Sequence, residues 1–374
     1  MSVALRVGVA GIHGHGRSHV DAVLRRAGAE GDVELTAVAD PRPGADLPAE
    51  TVSFSDAAEM MDAEPLDIVI LSTPIPTHEE LTLRALDRGI HVLLEKPPVP
   101  SIAAHETLTA AAARAERAIQ VGFQSLGSAG VAATAEVAAS GLLGEILHLS
   151  AVGLWCRSEE YWSRSAWAGR KAVDGRLVAD GALTNPLAHA VATALAISGA
   201  AAPSDVARVD LDLYAANDIE VDDTSSFVLG LADGSTIAGA LAVTAPRRSE
   251  PYVLVRGTRG HAVYHYTLDL LTVSTDAAPL PRTYAFARTP LLADLVAHVR
   301  SGSPLAVPLE RTGAFTRVLE EVVAAPRPKA IDSDRFSTAD RNGETFRVVH
   351  DVEDWAERAA WAGKTFSAVG APWT

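Results

Sequence analysis

The sequence predicts an α/β protein in two parts: an N-terminal Rossmann-like, doubly wound parallel sheet, then an α+β part on an open, mainly antiparallel sheet. Three observations carry this. Over the first third of the 374 residues, short β-rich apolar runs alternate with helical patterns. A glycine-rich stretch, Gly8-Val9-Ala10-Gly11-Ile12-His13-Gly14-His15-Gly16, joins the first such run to the first helical pattern. From about residue 145 the runs lengthen and partly alternate, and Asp233-Gly234 between two of them is a hairpin signal.

The apolar runs at 3–10, 33–39, 67–71, 90–94 and 118–123 read as strands buried on both faces. Helical patterns lie near 17–29, 55–62, 77–88 and 101–115, with Thr77 and Ser101 placed as N-caps. Strands at 145–155, 206–215, 224–231, 236–244 and 252–256 build the second sheet, with helices near 186–197, 289–301 and 311–324. After a proline-rich, charged link, a helical pattern over 352–366 holds Trp355 and Trp361. Six residues apart, these two do not share one helical stripe. The expected boundaries are 1–124, 125–345 and a tail, 346–374, that packs back on the body or on a neighbour.

Acidic residues outnumber basic ones by 47 to 32, a formal net charge of −15. Nucleic acids and anionic membranes need a basic face, so neither is expected as a partner. A single cysteine, Cys156, excludes an internal disulfide and fits a reducing compartment. No run reaches the roughly 20 apolar residues of a membrane-spanning helix. Met1 leads into a strand pattern with no basic leader or cleavage signal, so a cytoplasmic protein is expected.

The chemistry concentrates at Glu95-Lys96-Pro97-Pro98, which follows the apolar run Ile90-His91-Val92-Leu93-Leu94. The chain has only four lysines, Lys96, Lys171, Lys329 and Lys364. One at the end of a buried strand is a choice of chemistry, because a desolvated lysine can give up its proton and an arginine cannot. The glycine loop lies where a dinucleotide fold binds pyrophosphate on a helix N-terminus. Gly11 and Gly16 fit the outer positions of G-x-G-x-x-G, His13 takes the middle one, and Gly14 is extra. The loop backbone from Gly11 through Ile12, His13, Gly14 and His15 to Gly16 is therefore the candidate phosphate cradle. His13, His15 and His19 would crowd one turn, and no carboxylate or cysteine joins them in sequence, so no metal is expected. Asp40, ending the second run, is placed to accept from an adenosine ribose, and Arg42 leaves NADP open beside NAD.

With these segments in order, the chain resembles the Gfo/Idh/MocA family of glucose–fructose and inositol dehydrogenase-like oxidoreductases. The resemblance rests on the glycine loop with Asp40, Leu71-Ser72-Thr73-Pro74 with Thr77-His78, Gly89 through Pro97, Val121-Gly122-Phe123-Gln124, and Gly181-Ala182-Leu183-Thr184-Asn185-Pro186-Leu187-Ala188-His189. It covers roughly 1–325. It implies an NAD(P)-binding Rossmann domain and a second domain that holds a sugar or polyol. It further implies that Lys96 lies beside the nicotinamide and the reacting oxygen, with a cis Lys96–Pro97 bond. Ser72, Thr73, Pro74, Glu95 and Gln124 are then expected around the cofactor, and Gln124 and Lys96 also at the substrate. The family's second-domain motif is usually D-x-x-x-H. Here Asn185 stands at the aspartate, His189 matches the histidine, and Ala192 replaces a later aspartate. An amide orients a hydroxyl but takes no proton, which leaves His189 for proton transfer. Asn185 also reads as the N-cap of the helix that Pro186 would begin.

Trp155, Arg157, Tyr161, Trp162 and Trp167 form an aromatic cluster suited to stacking on a carbohydrate, or to stapling a long loop or meeting another subunit. The expectation is an NAD-dependent oxidoreductase acting on a secondary alcohol or ketone of a sugar, cyclitol or sugar derivative. Two rivals share the fold: an enzyme that cleaves glycosides by oxidation, elimination and reduction on retained NAD, and a sugar- or nucleotide-sensing protein without turnover. The resemblance also implies a homodimer or homotetramer formed through the exposed face of the second sheet.

Overall fold

The computed structural model describes residues 3–42, 44, 46–278 and 280–374. They fall into two compact units, Met1–Phe123 with Thr289–Thr312, and Gln124–Arg288 with Gly313–Thr374.

The first unit is a six-stranded parallel sheet in the order β3-β2-β1-β4-β5-β6. Its strands are β1 (Leu5–Ala10), β2 (Val33–Ala39), β3 (Val52–Phe54), β4 (Ile68–Leu71), β5 (His91–Leu94) and β6 (Ile119–Val121). The order reverses between β1 and β4, where the loops after both strands open at one end of the sheet. Ile68, Val69, Ile70 and Leu71 are wholly buried, which is why β4 reads as an unbroken apolar run. Each contributes about 1.5–3 kcal/mol by burial. Helices α1 (His15–Glu30), α2 (Ala57–Ala63), α3 (His78–Asp87) and α4 (Ile102–Ala115) connect the strands. Ser101 caps α4, accepting from the Ala104 amide at 3.3 Å. Thr77 caps nothing with its side chain: it ends a 3-10 turn, Ile75–Thr77, and its hydroxyl donates to Thr73 Oγ1 and to the Pro74 carbonyl. The short third strand has no counterpart among the expected runs, because Val52-Ser53-Phe54 is an edge strand with Val52 exposed.

The unit is completed by residues 289–312, which the expected division assigns to the second part. They return because Gln120 is wholly buried and finds its partners there. Its amide donates to Asp294 Oδ2 at 2.6 Å, its carbonyl accepts from the Val307 amide at 3.1 Å, and Val121 N donates to the Val307 carbonyl.

The second unit is built on a nine-stranded mixed sheet in the order β16-β15-β14-β13-β7-β12-β11-β10-β17. Its strands are β7 (Ile146–Leu154), β10 (Val206–Ala215), β11 (Thr224–Leu231), β12 (Thr236–Ala242), β13 (Tyr252–Gly257), β14 (Gly260–His265), β15 (Leu270–Thr275), β16 (Arg282–Ala285) and β17 (Lys329–Ala330). Two-residue strands β8 (Ala172–Val173) and β9 (Arg176–Leu177) form a separate small hairpin, helices α5 (Ala129–Ala139) and α8 (Gly313–Ala324) also belong to this unit, and α7 (Leu291–Ser301) belongs to the first. Asp233-Gly234 turns β11 into β12. All pairs are antiparallel except β7 with β12 and β10 with β17. The outer strands β14 to β16 extend the sheet beyond the five expected.

Side chains alternate across β7 and so reach both faces. On one face a Cβ at Gly153 would lie 2.7 Å from Leu187, just before α6 (Ala188–Ser198), whose alanines sit almost wholly buried. On the other, Val152 and Leu154 pack with Val352, Ala356, Ala359 and Ala360 of α9 (Val352–Ala362), and with Phe366 of α10 (Phe366–Val369) and Trp373. His148 and Ser150 of β7 meet the Ala360 carbonyl at 3.0 and 2.8 Å, which ties down the end of α9. The tail thus packs into the core of the second unit. It packs on the face of β7 and β12 opposite α6. Trp355 stacks edge-on with Trp373, whereas Trp361 stacks on His261, so the two tryptophans do part company.

Before α9 comes a hairpin absent from the expectation, β18 (Phe336–Arg341) and β19 (Glu344–Val349), turned at Asn342-Gly343. No helix among the described residues is long and apolar enough to cross a membrane.

Candidate functional site

In the first unit the polar chemistry gathers at the carboxyl ends of β1, β4 and β5. Gly11 has φ +78°, and a Cβ there would lie 2.4 Å from the Ser72 carbonyl oxygen. A Cβ on Gly16 would lie 1.8 Å from the Gly11 carbonyl oxygen. Only glycine lets α1 start this close to the strand end. Gly14 precedes α1 and brings no side-chain cap, so the amide-bearing end of a 16-residue helix faces the loop. Beside it lies a cavity of about 290 Å³ lined by Ile12, His13, Gly14, Arg17, Gly44 and Leu47, among others. Asp40 accepts from the Ile12 amide at 3.1 Å and from the Arg42 amide and Nε at 3.0 and 3.3 Å. Burial works to raise its pKa, but these donors hold it below the usual carboxylate value. The His13 imidazole is turned toward Asp40 at 3.9 Å, too long for a hydrogen bond, and its buried Nε2 has no partner.

Glu95 is 5 % exposed and accepts from His19 Nε2 at 2.8 Å, with His15 Nε2 at 3.3 Å and the Lys96 amide at 3.2 Å. Burial alone would raise its pKa. The hydrogen bonds to His15 and His19 overcome that and hold it well below the ordinary carboxylate range. The same bond raises the pKa of His15. A Cβ on Gly122 would meet the Glu95 carboxylate at 2.6 Å, which explains a glycine there. The sequence offered no carboxylate to His15 and His19. The fold supplies Glu95, and the three ligand-type atoms lie within 4.8 Å of one another, a set that could hold a metal ion. Lys96 is half-buried, and its bond to Pro97 is cis.

His78, quoted above only as part of the resemblance, is the site residue the sequence undervalued. It is 1 % exposed, with Nδ1 at 3.1 and 3.0 Å from the Pro97 and Pro98 carbonyls and Nε2 at 2.8 Å from that of Thr73. Burial lowers its pKa. It therefore braces the turn after Lys96 against Ser72-Thr73-Pro74.

In the second unit α6 begins at Ala188, not at Pro186, and its N-cap position is Leu187. Asn185 is thus no cap. It sits in the preceding turn and donates through Nδ2 to Asp180 Oδ1. Asp180, 1 % exposed, is the hub here and went unmarked in the sequence. It also accepts from Arg164 Nη2 at 2.9 and 2.7 Å and from the Gly169 amide at 3.0 Å. A buried carboxylate thus stands beside Asn185, five residues earlier in the chain and already paired with Arg164. His189, in the first turn of α6, has Nδ1 3.5 Å from Ser125 Oγ, which accepts from Thr193 Oγ1 at 3.0 Å. Gln124 is half-buried and opens the 3-10 turn Gln124–Gly127.

The aromatic segment divides. Arg157 lies over the rings of Trp155 and Tyr161, at 5.2 and 4.9 Å, and Arg164 over Tyr161 and Trp167, at 3.8 and 4.7 Å. Trp162 instead packs on Ala215, Ile219 and Val221 and meets Tyr161 edge-on at 5.0 Å. The segment is clamped by β19. Ser158 bridges Phe346, Arg347 Nε donates to Glu159 at 2.7 Å and its Nη1 to the Ala216 carbonyl at 2.5 Å, and the Thr345 amide donates to Glu160.

Residues 5–123 match the model of an oxidoreductase family with an NAD-binding Rossmann fold, and residues 131–263 match a Gfo/Idh/MocA C-terminal domain. An inositol 2-dehydrogenase of Saccharopolyspora erythraea is 37% identical over 126 residues, 32% of this chain and 36% of that one. One of an Arthrobacter species is 34% identical over 158 residues, 40% and 45% of the two chains. The match thus spans less than half the length of these relatives. Among solved structures, a levoglucosan dehydrogenase in complex with NADH and L-sorbose superposes with TM-score 0.70 at 19% identity, covering 86% of this chain and 96% of that one. The WlbA dehydrogenase of Bordetella pertussis, in complex with NADH and UDP-GlcNAcA, gives 0.68 at 19%, covering 86% and 95%. At that identity these likenesses establish the fold.

Proposed function

The chain belongs to the Gfo/Idh/MocA oxidoreductase family, with an NAD-binding Rossmann first unit, and from this premise we propose that it is an NAD-dependent dehydrogenase. Its substrate would be a secondary alcohol or ketone of a sugar, cyclitol or sugar derivative. The observation that carries the reading is Lys96 at the end of β5, in a turn braced by Glu95 on one side and by His78 on the other.

The residues present fit the cofactor. The α1 terminus and the loop from Gly11 to Gly16 would hold the pyrophosphate, Asp40 the adenosine ribose, and Ser72-Thr73-Pro74, Glu95 and Gln124 the nicotinamide end. When bound, NAD accepts or delivers the hydride. Lys96 holds the reacting oxygen and offsets its developing negative charge. With Nδ1 of His189 at Ser125, Nε2 is the atom assigned to take the hydroxyl proton. Asn185, oriented by Asp180, Gln124 and the faces of Trp155, Tyr161 and Trp167 position the sugar. Arg42 beside Asp40 tilts the site without fixing it, so NADP is the alternative cofactor. A homodimer or homotetramer would use surface outside the tail's cover, such as β16, where Tyr284 is exposed.

The test is NADH formation at 340 nm on a panel of polyols and sugars with the wild-type chain and Lys96→Ala. The expected result is turnover by the wild type and a loss of about 100-fold or more in the variant, with NAD affinity kept. Near-normal turnover in Lys96→Ala sinks the assignment. Cleavage of a glycoside on retained NAD, with no added cofactor, would move the reading to the non-redox rival.

A further inference from the structure

Three guanidinium groups gather on the aromatic segment of the second unit, and their partners differ. Arg164 is neutralised by Asp180. Arg157 rests on Trp155 and Tyr161, and Arg248 on Trp155 at 4.5 Å. Neither Arg157 nor Arg248 has a carboxylate within ion-pair distance among the described residues, in a chain where acidic groups outnumber basic ones by 47 to 32. Arg157 Nε and the Trp155 indole N–H are buried and meet no acceptor. A guanidinium laid on a ring keeps its N–H groups in its own plane, available to a planar or tetrahedral oxyanion. Trp155 and Arg157 can only donate. The cluster is thus rich in donors, carries two uncompensated charges, and is held rigid by stacking. A neutral polyol would leave both charges unmatched.

Resting on the dehydrogenase reading above, we propose that Arg157, Arg248 and Trp155 recognise an anionic group, a carboxylate or a phosphate ester, on the sugar. The substrate class is then an acidic sugar derivative rather than a neutral cyclitol.

The test is calorimetric titration of the NADH-loaded full chain with D-glucuronate, D-glucose 6-phosphate and D-glucose, at low and high salt. At least one anion should bind about ten-fold or more tightly than glucose, the worth of one or two charge-assisted hydrogen bonds. That preference should shrink with salt and largely vanish in Arg248→Met, a change at an exposed position. Whichever anion binds better identifies carboxylate or phosphate. Equal binding of anion and glucose, no binding of any of the three, or an equal weakening of all three in Arg248→Met overturns the proposal. Turnover of a neutral polyol with anions ignored would sink this inference alone. Anion binding with no NAD-linked chemistry on any sugar would sink the dehydrogenase reading instead.

Discussion

In the first unit the buried carboxylate of Glu95 is surrounded by donors from its own chain, whereas in the second the guanidinium of Arg157 rests on two rings with Nε lacking an acceptor. The two regions manage buried polarity differently. Around Glu95 and His78 the protein satisfies its own groups and so fixes the turn of Lys96 before any substrate arrives, which is the condition for electrostatic catalysis. Around Trp155 the aromatic faces supply order, and the buried N–H groups of Trp155 and Arg157 Nε meet no acceptor. A shared cofactor calls for a fixed frame, and a particular substrate for groups that can differ between relatives.

The sharpest way to break the comparison is Gly16→Ala. A Cβ 1.8 Å from the Gly11 carbonyl forces the loop away from the phosphate path. NAD affinity should fall about 100-fold, about 2.7 kcal/mol, in titrations on a chain whose circular dichroism is unchanged. Asp180→Ala comes next. It strips Arg164 and Asn185 of their buried partner and should cost about 3 kcal/mol, the low end for a broken buried pair because Arg164 is partly exposed. All six tryptophans lie in the second unit, so fluorescence-monitored denaturation reads that loss directly.

A smaller and more discriminating effect is the pH response. In the first unit burial pushes His91 down to about 4. Between pH 4 and 6.5 its unfolded form binds a proton that the folded form refuses, so stability is present above that window and is lost as pH falls through it. In the second unit burial pushes Asp222 up to about 6. Between about pH 4 and 6 the folded form keeps a proton that the unfolded form has lost, so stability falls as pH rises, on the order of 1 kcal/mol per unit at most. Tryptophan fluorescence, which reads the second unit, should therefore report stability falling as pH rises through that window, and Asp222→Asn should flatten the trend. The smallest effect belongs to Arg347→Ala, which frees Glu159 and loosens the clamp on the aromatic segment. Stability should drop by about 1 kcal/mol or less, while KM for the sugar rises and kcat holds; an unchanged KM would make the clamp merely structural.

The parallel sheet was legible because its strands are buried on both faces and its turns carry glycine, and four of its connecting helices emerge within two residues of their expected bounds. The edge strand at Val52 and the hairpin at Asn342-Gly343 carry too few apolar residues to stand out, although the latter turn holds a recognisable Asn-Gly signal. Gln120 looked like one polar residue in a strand, and only its partners at Asp294 and Val307 reveal why 289–312 returns to the first unit. Lys96, Glu95 and the glycine loop could be read from local pattern. Asp180 and the partnership of Glu95 with His15 and His19 could not, because each depends on residues brought together from separate segments. For Asn185 the sequence left a sugar-orienting amide and a helix cap both open, because Pro186 imitates a helix start; the helix begins only at Ala188, and the Asn185 side chain donates to Asp180 instead of capping it.

The proposed joint role of Lys96 and His189 in one reaction can be probed by a double-mutant cycle on kcat/KM. Lys96→Met and His189→Ala should each cause a large loss, and the double variant should be little worse than the poorer of them. Losses that multiply independently, or a single variant with near wild-type turnover, would contradict it.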